Sequence, residues 1–194
     1  MPLTPASTVL EGRYVRLEPL AQSHVPALFA AGGRDDEVWR WLSAPTPRTE
    51  SDLHEIVSRR LRDVEDGKRV AFAVLGREAG AAIGTTNLHS WHRADGRIEI
   101  GGTWFGRTWW RTAANTETKL LTMTYAFETL GYTAVVWRIG AGNLRSRAAI
   151  TRIGATLIGP EPQGAAEPSL LLYTIRQAEW PTAKARLAER LART

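Results

Sequence analysis

The chain has 194 residues, 43% hydrophobic and 23% charged, the size and balance of one globular domain that buries its own core. No apolar run nears the roughly 20 residues of a membrane span. There is no cysteine, which excludes disulfides, thiolate metal sites and a cysteine nucleophile. The net charge of +5 is carried almost wholly by arginine, since only Lys68, Lys119 and Lys184 are lysines. The arginines are interleaved with acids rather than gathered into a basic run, so the charge reads first as a chain-wide arginine-rich composition, and a mildly basic surface still favours an anionic ligand such as a phosphorylated cofactor over a nucleic acid.

The opening MPLTPASTVLEGR has neither a basic n-region nor an apolar h-region, so a cytoplasmic protein is expected. Alternation of Val15 and Leu17 against Arg16 and Glu18 predicts a first strand over 15–20. Ser23 is placed to cap a helix through Val25, Leu28 and Phe29 that stops at Gly32–Gly33. A short helix follows from Asp35 or Asp36, carrying Val38, Trp39 and Leu42, and Pro45–Pro47 breaks it. Leu53, Ile56, Val57 and Leu61 share one face of a helix running from Glu50 or Ser51 to Val64. Two strands, 70–75 and 81–89, are joined by a turn at 76–80, and a third spans Arg97 to Phe105.

A long helix is predicted from about Thr116 to Leu130, ended by Gly131. A buried strand over 135–139 leads to a helix opened by Asn143 and closed by Gly154. Strands near 155–158 and 170–175 precede a terminal helix with Trp180, Leu187 and Leu191. Trp39, Trp41 and Trp137 read as core, and Trp109 and Trp110 as packing anchors for the turn that follows them. With no repeat and no linker, residues 1–194 read as one mixed α/β domain.

Three features carry chemistry. The strand Arg97-Ile98-Glu99-Ile100-Gly101-Gly102-Thr103-Trp104-Phe105 holds one acid among apolar residues, with two glycines that admit a ligand or a neighbouring backbone. The turn from Trp109 to Glu117 leads straight into a helix, whose free N–H groups and positive dipole end suit a pyrophosphate. In Asn143-Leu144-Arg145-Ser146-Arg147, Asn143 and Ser146 stand three apart and so face one side of a helix start.

The run EIGGTWFGRTWWRTAANTETKLLTMTYAFETLGY, followed by NLRSRAAITRIGA, resembles the core of the GNAT acetyltransferases. The likeness is greatest to the Rim-type branch, which includes ribosomal-protein alanine N-acetyltransferases. GRYVRLEPL near the start and YTIRQAEWP near the end fit that branch. The resemblance implies an α+β fold with a curved, mostly antiparallel sheet flanked by helices, its two central strands splayed to admit pantetheine. It implies acetyl-CoA as co-substrate, direct attack by a primary amine on the thioester, and no metal. The acceptor is a peptide N-terminus or a small-molecule amine. Cofactor contacts fall on Trp104, Phe105, Arg111, Thr112, Ala113, Ala114, Asn115, Thr116 and Asn143. Glu99 and Ser146 become the candidate catalytic residues. A homodimer is compatible with it; a membrane or a nucleic-acid partner is not expected.

The chain departs from that pattern in places. The phosphate loop of the family usually reads Gly-x-Gly-x-Ala, and here those positions hold Arg111, Ala113 and Asn115, so neither customary glycine is present. Ile150 occupies the position of a frequent tyrosine proton donor, and the segment between Ile158 and Leu170 looks abbreviated. These departures leave a second reading, a non-catalytic acyl-CoA-binding protein on the same fold. Read from residues alone, Glu99 is either a solvated strand residue or a general base. Asn143 is first an N-cap, and Ser146 either completes that cap or assists the leaving thiolate. His89 and His92, three apart on a strand, make no metal pair. One of them is a candidate wall of the acceptor pocket.

Overall fold

The computed structural model describes residues 1–160 and 170–194. Most of the abbreviated segment between Ile158 and Leu170 therefore lies outside the described residues. Among the described residues eight strands form one sheet: β1 Leu10–Glu11, β2 Val15–Pro19, β3 Arg69–Gly76, β4 Ala81–His92, β5 Arg97–Phe105, β6 Ala134–Gly140, β7 Thr156–Pro160 and β8 Leu170–Arg176. Their order is β1-β2-β3-β4-β5-β6-β8-β7, with β5 and β6 parallel and every other pair antiparallel. The helices are α1 Val25–Gly32, α2 Asp36–Trp39, α3 Glu50–Glu65, α4 Ala113–Thr124, α5 Leu144–Arg152 and α6 Trp180–Ala192.

Strand alternation sorts the core into two layers. Val70, Phe72, Leu88, Ile98, Ile100, Val135 and Ile139 pack with Met123 of α4, Ile150 of α5 and Leu187 of α6 on one face. Ala71, Ala73 and Trp104 pack with Leu28, Trp39, Leu53 and Ile56 from α1 to α3 on the other. This is the mixed α/β architecture, a central sheet flanked by helices, that a GNAT fold requires.

Several boundaries differ from expectation, each for a local reason. The helix expected from Thr116 begins at Ala113, because the Thr112 hydroxyl caps it by accepting from Ala114 N at 3.3 Å. Its α-helical part ends at Thr124, and a π-type turn over Tyr125–Thr129 carries the chain on to Gly131, which takes φ +74°. Ser23 caps nothing: it lies in a 3-10 turn, Gln22–His24, where His24 Nδ1 accepts from Ala21 N at 3.0 Å. Trp41 is half-buried rather than core, and lies against Gly140 and Gly142 at the end of β6. The short β1, unforeseen in the sequence, pairs with β2.

Candidate active site

The central strands set the geometry. β5 and β6 pair only where Arg97, Ile98 and Glu99 face Ala134, Val135 and Val136. Beyond Glu99 they part, so their C-terminal halves present unpaired backbone edges to each other. The chain leaves β5 into the turn before α4, and leaves β6 into the turn before α5. Both helix N-termini therefore stand at the open end. Arg145 of α5 bridges the two, its guanidinium carbon 3.5 Å from the centre of the Trp110 ring.

A bulge marks β5 just past the parting point. Thr85 faces Trp104 but Asn87 faces Gly101, so β5 spends three steps where β4 spends two. Gly102 takes up the extra residue at φ +56°, and a Cβ there would meet Asn87 Nδ2 at 2.7 Å. The bulge also reverses the side-chain parity of the strand. Trp104 is turned from the face of Ile98 and Ile100 onto the α1–α3 face, where its ring centre lies 5.2 Å from that of Trp39. Trp104 and Phe105 are both sealed in core, leaving only their backbone for a cofactor.

On the α1–α3 face a polar floor lies beside the bulge. Thr85, Asn87 and His89 alternate along β4, with Glu99 of β5 and Arg138 of β6 alongside. Asn87 Nδ2 donates to the carbonyls of Gly101 and Gly102 at 3.2 and 3.3 Å. Glu99 is not a solvated strand residue: it is 4% exposed, and its carboxylate is paired with the Arg138 guanidinium. Arg138 offsets the cost of burying that charge. His89 Nδ1 lies 3.8 Å from Glu99 Oε2 and 3.0 Å from Ser90 Oγ. Burial, then the charges of Arg69 and Arg138, pushes the His89 imidazole down to about 4, so it is neutral at physiological pH. Of the two histidines singled out in the sequence, His89 is the one that lies beside Glu99. Among the described residues no cluster of His, Asp and Glu is arranged to hold a metal ion.

The phosphate turn forms without its glycines. Arg111 itself adopts the left-handed conformation, φ +63°, that glycine would favour there. Packing fixes the turn: Trp110 Nε1 donates to Phe105 O at 2.9 Å, and Thr112 Oγ1 to Trp109 O at 2.9 Å. Arg107 forks onto Asp35, the N-cap of α2, at 2.6 and 2.9 Å. Arg111 and Thr112 are exposed, Ala113 and Ala114 are buried in the first turn of α4, and Asn115 and Thr116 are half-buried. Asn143 caps α5, its Oδ1 accepting from Ser146 N at 3.1 Å. The Ser146 side chain is half-buried at the same open end. Ile150 is buried in the core.

Sequence reading missed Arg138, Arg60 and Lys119. Arg138 carried a usable signal, a lone charge in an apolar strand, the same signal that marks Glu99. Lys119 of α4 is buried with its ammonium 5.7 Å from the Trp137 ring centre. Burial alone pushes it down to about 8. The indole N–H groups of Trp104 and Trp137 are buried without a partner.

With this geometry the comparisons agree. The family profile described as "Acetyltransferase (GNAT) domain" matches residues 15–156. The chain belongs to that family, whose shared chemistry is acetyl-CoA-dependent transfer. A GCN5-related N-acetyltransferase from Brucella melitensis is 30% identical with a TM-score of 0.90, over 98% of this chain and 88% of that one. A protein of T. thermophilus assigned to the acetyltransferases is 31% identical with a TM-score of 0.86, over 97% of this chain and 100% of that one. RimJ of Mycobacterium smegmatis, solved with CoA-disulfide, shares the fold at 18% identity and a TM-score of 0.76, over 95% and 93%. No curated protein matches the sequence. Among the described residues, no helix is long and apolar enough to cross a membrane.

Proposed function

We propose that the chain, as one domain over residues 1–194, transfers the acetyl group of acetyl-CoA to a primary amine in the manner of the Rim-type branch. The observation that carries this is the parting of β5 and β6 beyond Glu99, with the Gly102 bulge and two helix N-termini at the open end. The residues fit the co-substrate. Unpaired strand edges suit the amides of pantetheine, and the unpartnered Trp137 indole N–H is a donor without an acceptor on β6. Bound there, acetyl-CoA supplies an activated thioester.

The chain's residues then divide the work. Arg111, Thr112, Ala113, Ala114, Asn115 and Thr116 hold the pyrophosphate at the N-terminus of α4. Backbone N–H groups from Gly102 to Trp104 polarise the acetyl carbonyl, and Asn143 binds the pantetheine arm. Glu99 takes the proton that the ammonium must lose before its nitrogen attacks. Ser146 stabilises charge on the departing sulfur. The acceptor is a peptide N-terminus or a small-molecule amine, and the reaction takes place in the cytoplasm.

A non-catalytic acyl-CoA binder is the rival reading, motivated by the missing loop glycines. Against it stands the turn itself, which reaches the left-handed conformation with arginine in place. Calorimetric titration with acetyl-CoA, then thiol release against N-terminal peptides and small amines, separates them. Micromolar binding, on the order of −8 kcal/mol, with thiol release supports the transferase. Binding without release against the whole panel supports the rival, and no binding at millimolar acetyl-CoA sinks both.

A further inference from the structure

The α1–α3 face holds more positive charge than its chemistry needs. Arg60 of α3, Arg69 of β3 and Arg138 of β6 stand around a floor whose acids are Glu99 and Asp63. Two of the three arginines have carboxylate partners. Arg138 pairs with Glu99, and Arg69 Nε lies 3.3 Å from Asp63. Arg60 makes no ion pair within contact distance among the described residues and feels Asp63 only as a more distant charge: its hydrogen bond runs from Nη1 to the neutral Thr85 hydroxyl at 3.0 Å. It is half-buried, and burial together with the nearby Arg69 charge pushes it down to about 10, so it remains a cation at physiological pH. Its Nε and Nη2, which make no hydrogen bond among the described residues, are not sealed from solvent. A guanidinium has five N–H donors, and a hydroxyl satisfies only one.

Position makes this excess informative. Thr85 Oγ1, which accepts from Arg60, in turn donates to Gly102 O at 3.4 Å. Two hydrogen bonds thus separate the guanidinium from the bulge beside which an acetyl group would sit. An amine acceptor arrives as an ammonium ion, and the guanidinium of Arg60, left over once Arg69 and Arg138 are paired with acids, repels it unless it brings negative charge of its own. A hydroxyl clamp needs no such charge, whereas planar two-donor binding of a carboxylate or phosphate does.

We propose that the acceptor carries an anionic group, a carboxylate or a phosphate a few bonds from its amine, and that Arg60 seats that anion. The inference deepens the acetyltransferase reading and rests on it for the amine. Its test uses acceptor pairs differing only in the anion: alanine against alaninamide for a carboxylate, phosphoethanolamine against ethanolamine for a phosphate. Thiol release should give kcat/KM about 10–100-fold higher for the anionic member of at least one pair, and the favoured pair names the source. Arg60→Gln should bring that ratio close to one, and Arg60→Lys should keep part of it, which a purely structural role would not do. Thr85→Val serves as the second variant should Arg60→Gln fail to fold, and should reduce the ratio severalfold. Ratios near one in the wild type, or a preference that survives Arg60→Gln, overturn the proposal. In a parallel arm, inorganic phosphate and acetate are titrated calorimetrically into wild type and Arg60→Gln, with acetyl-CoA titrated separately. Anion binding lost in the variant supports Arg60 even if no thiol is released, and no anion binding in the wild type counts against it. The acetyl-CoA titration reports independently on the transferase reading.

Discussion

The two faces of the sheet each bury a glutamate, and they do so in opposite ways. Glu117, on α4, accepts from three successive backbone N–H groups, those of Arg13, Tyr14 and Val15, at 2.8, 2.6 and 2.7 Å. Those donors are fixed by the turn into β2, and the carboxylate fills the space that a Cβ on Gly12 would need. Glu99, on the α1–α3 face, is as deeply buried but is held by side chains, Arg138 with His89 nearby. Side-chain partners can rearrange when a substrate enters, and backbone partners cannot. The partners, not the burial, therefore separate the two carboxylates, and the proposed mechanism uses only the one held by side chains. The contrast breaks if a substitution on the α4–α6 face changes turnover more than stability, or if one at Glu99 does the reverse.

The largest effect is expected at Glu99. Glu99→Gln should lower thiol release about 10²–10⁴-fold while acetyl-CoA affinity and melting temperature hardly move. Arg138 is not stranded by the change, since 35% of its side chain is exposed. Steady-state kinetics below the pKa of the acceptor amine check this, and a wild-type rate there removes Glu99 from the mechanism.

Glu117→Ala should act on stability instead. It leaves three backbone donors facing a hole, and the loss should be about 3–5 kcal/mol in denaturant unfolding. Turnover per folded molecule at low temperature should stay near that of the wild type. A large loss of turnover in fully folded protein would show that the turn into β2 matters for catalysis.

How much of this could be read from the sequence depends on what fixes each feature. Strand β5 was legible to the residue, because its glycines, its acid and its apolar alternation all lie within one element. The α5 start was equally plain, since Asn143 caps it locally. The bulge at Gly102 was not legible, because it exists only in register with β4, and neither was the turn of Trp104 to the other face. The roles of Arg60 and Glu117 depend on partners 25 and about a hundred residues distant. The start of α4 at Ala113 was not legible, because it depends on the Thr112 hydroxyl turning back onto Ala114 N, and a threonine in a polar turn does not announce that role.

Lys119 offers a pH-dependent test of the α4–α6 face. Its folded value of about 8 lies below its ordinary 10.5. Between those limits the unfolded chain binds the extra proton, so this site's contribution to stability rises with pH from about 8 to 10.5. Below pH 8 the full penalty applies, on the order of 3 kcal/mol, partly offset by the contact with Trp137. Lys119→Met should therefore stabilise the protein at pH 7 by about 1–3 kcal/mol, and the gain should shrink as pH approaches 10.5. A variant less stable than wild type at pH 7 would mean that the ammonium has a partner worth more than its burial costs.

The smallest effect is expected at the start of α5. The Ser146 backbone N–H is taken by Asn143, but no hydrogen bond occupies its hydroxyl among the described residues. An alkyl hydroxyl is a poor acid, so its contribution to thiolate departure is one hydrogen bond and not a full proton transfer. Such a bond is worth about 0.5–1.5 kcal/mol, so Ser146→Ala should lower turnover roughly 3–10-fold with acetyl-CoA binding unchanged. A rival donor stands close by. Tyr173 of β8 accepts from Arg147 Nε at 3.0 Å, and among the described residues its own O–H has no acceptor, while a phenol is in general a stronger acid than an alkyl hydroxyl. Parallel kinetics of Ser146→Ala and Tyr173→Phe, each with calorimetric titration of acetyl-CoA, decide between them. A silent Ser146→Ala beside a slowed Tyr173→Phe with intact binding would move the donor from the helix start to β8. A slowed Ser146→Ala beside a silent Tyr173→Phe keeps the hydrogen bond to the departing sulfur at the start of α5.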